Sequence, residues 1–340
     1  MPECMNQNRP NNQVTIGAPF EPVFIVGAPR SGTTMLAVLL DRHPRIAIPP
    51  ETQFFTDFLP DTKKAEQATS HQHKLNAALA HPRLRDLELE FDEVLPLFQR
   101  CQNTYEDLFR TLLEAYARKK GAVRVGEKSP KHIEHVPNLL HTFPRAKVIC
   151  IVRDGRDVVH SLLKVPWAEP NNPRRFGLFC AEWNEYARMA LHYKMNIPAT
   201  QFILVRYEDI LRTPEASLKA LCSFINESYT PEMLTPQQHT EAVPSWEMEW
   251  KSKASQVLDP ERVEAWRRHP DERVIWRMNA MMGSLLREFG YAKPSSSGCP
   301  LHLRLVHALQ NLPYRPEIRP LSLLGLRLLR RCRLVQQPKR

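Results

Sequence analysis

The chain has 340 residues, 42% of them apolar and 25% charged, which allows one large domain or two small ones with a buried core and excludes a disordered chain. Its 47 Lys/Arg against 37 Asp/Glu give a net charge of +10, but residues 294–340 hold nine basic residues and one Glu, leaving 38 against 36 in residues 1–293. The basic character belongs to the C-terminal stretch, so the overall charge does not point the main body at nucleic acid.

No uncharged apolar run approaches the roughly 18–20 residues of a membrane span. The first thirteen residues carry no apolar core, so no secretory signal is expected. Residues 1–20 are polar and read as a loose arm. Val23–Val26 is a continuously apolar run, the pattern of a strand buried on both faces. A helix over Met35–Leu40, ending near His43-Pro44, and a short strand at Ile46–Ile48 follow. Residues 62–120 read as helical, most clearly from an Asn103 or Thr104 cap through Tyr116. Val123–Val125 reads as a strand, then a helix runs to Phe143, and Ala146–Val152 is the strongest buried-strand signal. Helices near Asp154–Leu163 and Arg174–Met195, a strand at Gln201–Val205, and helices at Pro214–Asn226, Asp259–Arg268 and Asp271–Phe289 complete the pass. Strands alternating with helices predict an α/β fold with a central parallel sheet flanked by helices. Ser295–Gly298 reads as a linker, which divides the chain into an arm (1–20), a main domain (21–293) and a basic tail (294–340). The seven cysteines are odd in number and show no C-x-x-C spacing, which argues against a zinc site or disulfide framework and for a reducing, cytoplasmic setting.

Between the first strand and its helix lies Gly27-Ala28-Pro29-Arg30-Ser31-Gly32-Thr33-Thr34. A glycine-bearing loop in this position can wrap backbone N–H groups around an anion, and the helix N-terminus adds a favourable dipole. A P-loop nucleotidase has Lys after the second glycine; here that place is Thr33, and the cation is Arg30. Val148–Val152 followed by Arg153-Asp154 resembles a Mg²⁺-holding strand, so a P-loop kinase or NTPase stays open alongside an anion-binding loop of another kind.

Four blocks, FIVGAPRSGTT, HPRIAIPPETQFF, EKSP and VICIVRDGRDVVHS, occur in that order within residues 22–290. Together they resemble the sulfotransferases that use 3′-phosphoadenosine-5′-phosphosulfate (PAPS), in the branch of the tyrosylprotein and heparan sulfotransferases. The resemblance implies a P-loop-like three-layer fold and transfer of a sulfuryl group to a hydroxyl, less readily an amine, with PAP as the second product. It sets Arg30, Ser31, Gly32, Thr33 and Thr34 around the 5′-phosphosulfate, Arg153 and Ser161 on the 3′-phosphate, and Tyr207 against the nucleotide. It makes Glu51 the general base and aims Lys128, with Arg30, at the charge that develops on the leaving phosphate. Lys251, Lys253 and Ser255 fall where relatives fold over the 3′-phosphate. No metal is expected, because side-chain cations serve a donor that is already activated.

His132 and His160 are bases by chemistry alone. Aromatics such as Phe54, Phe55, Trp167 and Trp246 suit a small-molecule, carbohydrate or peptide acceptor equally. Leu321, Leu324, Leu328, Cys332 and Val335 recur at helical spacing among arginines, which fits peripheral contact with an anionic membrane as well as a helix docked on the domain. A non-catalytic membrane-surface protein working through this tail is the non-enzymatic alternative, and oligomeric state is not legible.

Overall fold

The computed structural model describes residues 20–59, 70–165, 173–236, 258–268 and 271–291. The arm up to residue 19, Trp167, Trp246, Lys251, Lys253, Ser255, the linker at Ser295–Gly298 and the basic tail lie outside the described residues.

The chain divides into two compact units, Met1–Arg153 with Met189–Pro260 and Asp154–Arg188 with Glu261–Arg340. The first is built on a five-stranded sheet of β1 (Val23–Gly27), β2 (Ile46–Ala47), β3 (Arg124–Lys128), β4 (Lys147–Val152) and β5 (Phe202–Arg206), in the order β2-β3-β1-β4-β5. Every pairing is parallel. Every residue of β1 is buried, as are five of the six in β4, which is why these segments read as unbroken apolar runs rather than alternating ones. Helix α1 (Thr33–Asp41) packs on β1, β2 and β3 through an almost wholly apolar sequence.

The segment between β2 and β3 carries α2 (His71–Ala80), the single turn α3 (Pro82–Arg85), α4 (Phe91–Phe98) and α5 (Tyr105–Lys119). Thr104 caps α5, its Oγ1 accepting the Asp107 N–H at 3.0 Å. After β3 come a 3-10 segment, Pro130–His135, and α6 (Val136–Thr142). The β5 strand runs into α9 (Tyr207–Arg212), a helix that the sequence pattern did not reveal, and then α10 (Pro214–Phe224).

The second unit contains α7 (Gly155–Leu162), most of α8 (Pro173–Asn196) and α11 (Glu272–Glu288). Asn184 on α8 donates to the Met281 carbonyl on α11 at 2.8 Å. Arg156 is fully buried, clamped by both Asp154 oxygens at 2.9 and 2.6 Å and stacked 3.9 Å from the Trp266 ring centre. Asp157 accepts the backbone N–H groups of Glu264 and Trp266, fixing that segment to α7. The helix expected over Asp259–Arg268 is instead two short 3-10 turns, Pro260–Arg262 and Ala265–Arg268. Glu264 between them has φ 55°, a left-handed backbone that interrupts a continuous helix. Burial pushes the Cys150 and Cys180 thiols up to about 12, so both remain protonated packing residues.

At the start of α7, a Cβ on Gly155 would lie 2.5 Å from the Trp183 ring and 2.8 Å from the Met282 sulfur. Gly155→Ala is therefore expected to destabilise the protein by about 1–3 kcal/mol through overpacking. Urea unfolding of the purified variant measures this; unchanged stability would show that the contact relaxes freely.

Candidate active site

Parallel registers bring the candidate residues to one edge of the sheet. Ile25 on β1 pairs with Lys128, the last residue of β3, and Gly27 pairs with Ile151 on β4, two residues before Arg153. Val152 pairs with Arg206, so Tyr207 follows at the same edge. Ala47 on β2 pairs with Val125, and Glu51 extends four residues beyond it. The carboxyl ends of neighbouring parallel strands thus deliver Glu51, Lys128, the 27–34 loop, Arg153 and Tyr207 to the place where open α/β sheets bind ligands.

The loop is held in an uncommon backbone conformation. Gly27, Arg30 and Gly32 have φ of 152°, 70° and 103°. Arg30 bears its side chain despite the left-handed geometry, a strain typical of ligand-holding segments. No side chain caps α1, so its first amide groups point out of the helix with no intrahelical partner. The Ser31 side chain is fully buried, and its hydroxyl oxygen has no hydrogen-bond partner among the described residues. Buried hydroxyls are normally satisfied, and this one lies in the turn from β1 into α1, a position where α/β folds commonly hold anions. Thr33 is buried and Thr34 half-buried at the first turn of α1.

Tyr207 is 2% exposed, and a Cβ on Gly32 would run into its ring. The Arg153 guanidinium stacks over the same ring, 4.5 Å from its centre, and donates to the Arg30 carbonyl at 3.4 Å. Tyr207 therefore supports both the loop and Arg153 from beneath. Ser161 is half-buried on α7 in the second unit, with the buried His160 beside it.

On the other side of the loop, Lys128 is completely buried and its Nζ donates to Glu51 Oε2 at 2.6 Å. The other oxygen of Glu51 accepts from Gln53 Nε2 at 2.6 Å. Behind this pair, Glu127 is also completely buried. It accepts from Thr52 Oγ1 at 2.7 Å, Ser129 Oγ at 2.5 Å and His132 Nδ1 at 3.0 Å. Burial works to raise the Glu127 carboxyl, but the His132 imidazole and the two hydroxyl donors outweigh it and hold it below its ordinary value. His132 is spent in this arrangement, since its Nε2 accepts the Phe55 N–H at 3.3 Å and the ring is fully buried. Gln53 and Thr52 were not singled out from the sequence, and Glu127 entered only within the EKSP block; the signal was three consecutive polar residues, Glu127-Lys128-Ser129, at the end of a buried strand.

The sequence model of the Sulfotransferase family matches residues 22–231, well over half of the chain. The chain belongs to the sulfotransferase family. It is 28% identical to protein-tyrosine sulfotransferase 2 of Gallus gallus over 82% of this chain and 72% of that one. It is 26% identical to protein-tyrosine sulfotransferase 1 of Danio rerio, over 87% and 80% respectively. The sulfotransferase domain of the Synechococcus olefin synthase shares the fold, with a TM-score of 0.58 at 20% identity over 84% of this chain and 99% of that domain. This sulfotransferase therefore catalyses sulfuryl transfer, and PAPS is the donor that family membership implies. The buried Ser31 hydroxyl, the uncapped start of α1 and the two arginines match the phosphate and sulfate groups of that donor.

Gly32→Ala places a methyl group against Tyr207 at a φ that side-chain-bearing residues rarely adopt. It is expected to weaken PAP binding by at least about tenfold, equivalent to ~1.4 kcal/mol. Isothermal calorimetry with PAP measures the loss, and wild-type affinity would dissociate the loop's shape from nucleotide binding.

Proposed function

We propose that this sulfotransferase transfers the sulfuryl group to a hydroxyl of a protein or peptide, a tyrosine phenol in the first instance, with Glu51 as general base. The contact between Glu51 and Lys128 carries this reading, because it joins a carboxylate to a fully buried ammonium on the strand beside the anion loop. The protein-tyrosine sulfotransferases among the relatives support the acceptor class.

PAPS, when bound, supplies a sulfuryl group already activated for transfer. Arg30, Ser31, Gly32, Thr33 and Thr34 would hold its 5′ end through backbone amides, hydroxyls and one guanidinium, while Arg153 and Tyr207 would serve the 3′-phosphate side. As the acceptor oxygen forms its bond to sulfur, Glu51 takes the hydroxyl proton at a carboxylate oxygen. The bond from sulfur to the phosphate oxygen breaks, and the charge left on that oxygen falls to Lys128 and Arg30. The ion pair couples these events. Protonation of Glu51 removes the charge that holds Lys128, which releases the ammonium for the leaving oxygen as negative charge arrives there. Side chains supply the cations in this scheme, so transfer is expected to persist in EDTA.

Transfer from radiolabelled PAPS to a panel of tyrosine-containing peptides tests the reading. Glu51→Gln is expected to lower kcat by about 10²–10⁴-fold while PAP affinity stays within about twofold; a full-rate variant would remove Glu51 from the base role. Arg153→Ala is expected to weaken PAP by about tenfold or more, as loss of a charged hydrogen bond does, with calorimetry as the measurement.

A further inference from the structure

We infer that Glu127 is a positioning residue for sulfuryl transfer, holding Glu51 against Lys128 through Thr52 and Ser129. This rests on the reading of Glu51 as the base and deepens it. A carboxylate with no solvent exposure is expensive, and replacement of buried ionic clusters by apolar side chains is often neutral or stabilising. Stability alone therefore gives little reason for Glu127 to be here. Its hydrogen bonds give another.

All three donors to Glu127 lie on the two segments that carry the reactive pair. Thr52 directly follows Glu51, and its hydroxyl reaches Glu127 at 2.7 Å. Ser129 directly follows Lys128, and its hydroxyl reaches the same carboxylate oxygen at 2.5 Å. The Ser129 oxygen also accepts the Gln53 N–H at 2.9 Å, and Gln53 in turn donates to Glu51. His132 completes the tie from the opposite side, joining Glu127 to the Phe55 amide. Each residue of the reactive pair is thus flanked by one whose hydroxyl is anchored on the same buried carboxylate. Glu51 stands on a short segment outside any regular helix or strand, between β2 and the single π-helical turn Phe54–Phe58, where no backbone ladder fixes it. Gln53 adds a left-handed backbone, with φ 46°, that the amide bond to Ser129 holds in place. Ladder hydrogen bonds secure Lys128; the side-chain cluster secures Glu51.

The variants read this at Thr52 as well as at Glu127, because Glu127→Gln removes a charge at the centre of the core and can impair folding. Thr52→Val keeps the shape and removes one donor. It is expected to lower kcat for transfer from PAPS to a tyrosine peptide by about tenfold, the cost of a small misplacement of a reacting group. PAP affinity and the KM for PAPS stay within about twofold. Thr52→Ser, which restores the hydroxyl, recovers the rate. In a Glu51→Gln background, Thr52→Val costs nothing further, because the residue acts through Glu51. Glu127→Gln, where it folds, reproduces the Thr52→Val pattern with a larger loss in kcat. A slow Glu51→Gln together with a full-rate Thr52→Val, or losses that multiply in the double variant, or PAP binding that falls in step with kcat, overturns the positioning role alone. A full-rate Glu51→Gln overturns the base assignment and this inference with it.

Discussion

Lys128 ends a strand in the middle of a buried sheet, and an ammonium placed there must have a counter-charge. Glu51 supplies it at 2.6 Å. Leaving either partner alone would cost several kcal/mol, on the order of 3–5 for a broken buried pair. The arrangement of the first unit around the site follows from this requirement. Strand β3 must lie between β2 and β1, so that the residue after its last apolar positions meets both the segment leaving β2 and the loop leaving β1. A parallel sheet accomplishes this because every strand delivers its carboxyl end to the same edge. Five short strands therefore concentrate a carboxylate, an ammonium and two guanidinium groups at one edge of the sheet, a charge set that suits a nucleotide with anionic groups at both ends.

The division of labour across that edge follows the chemistry. Phosphate and sulfate oxygens are fixed charges, and backbone amides in a strained loop hold fixed charges well without a side chain to titrate. Proton transfer needs a group that changes charge, the role proposed for Glu51. Its neighbours hold it in place: Lys128 donates to it at 2.6 Å, and Glu127 behind them accepts three hydrogen bonds that hold its carboxyl below the ordinary value. Tyr207 supports the 27–34 loop in the same way, its ring packed against Gly32 and stacked with Arg153. That explains why an almost fully buried tyrosine directly follows β5.

The sheet was legible because burial on both faces erases alternation. VFIV and AKVICIV can be little else between helical patterns, and both became strands within a residue of the expected limits. The loop was legible because two glycines flank Arg30-Ser31 in a chain with only 11 glycines. Arg156 was not, since nothing in DGRDVV distinguishes an arginine facing water from one sealed between Asp154 and Trp266. The break at Glu264 was hidden for a similar reason: a glutamate at φ 55° leaves no mark in composition, and the helical pattern around it continues unbroken. The Glu127 cluster was half visible. Its residues sit one beside another, but their partner Thr52 lies 75 positions away and meets them only once β2 and β3 are paired.

That separation bears on how the site tolerates change. The anion loop is local, held by its own turn, α1 and the strands on either side, so much of its geometry is carried by one contiguous segment. The Glu51 segment instead takes its geometry from β3, across a connection of more than seventy residues whose described part includes α2 to α5. Long insertions or deletions in that connection cost little chain entropy. They leave the pair intact only while the Thr52–Glu127 and Gln53–Ser129 bonds survive. The side-chain cluster therefore separates two parts of the same stretch of chain: residues 51–55 are pinned to β3 and the turn after it by hydrogen bonds, and the helices that follow are not held by that cluster.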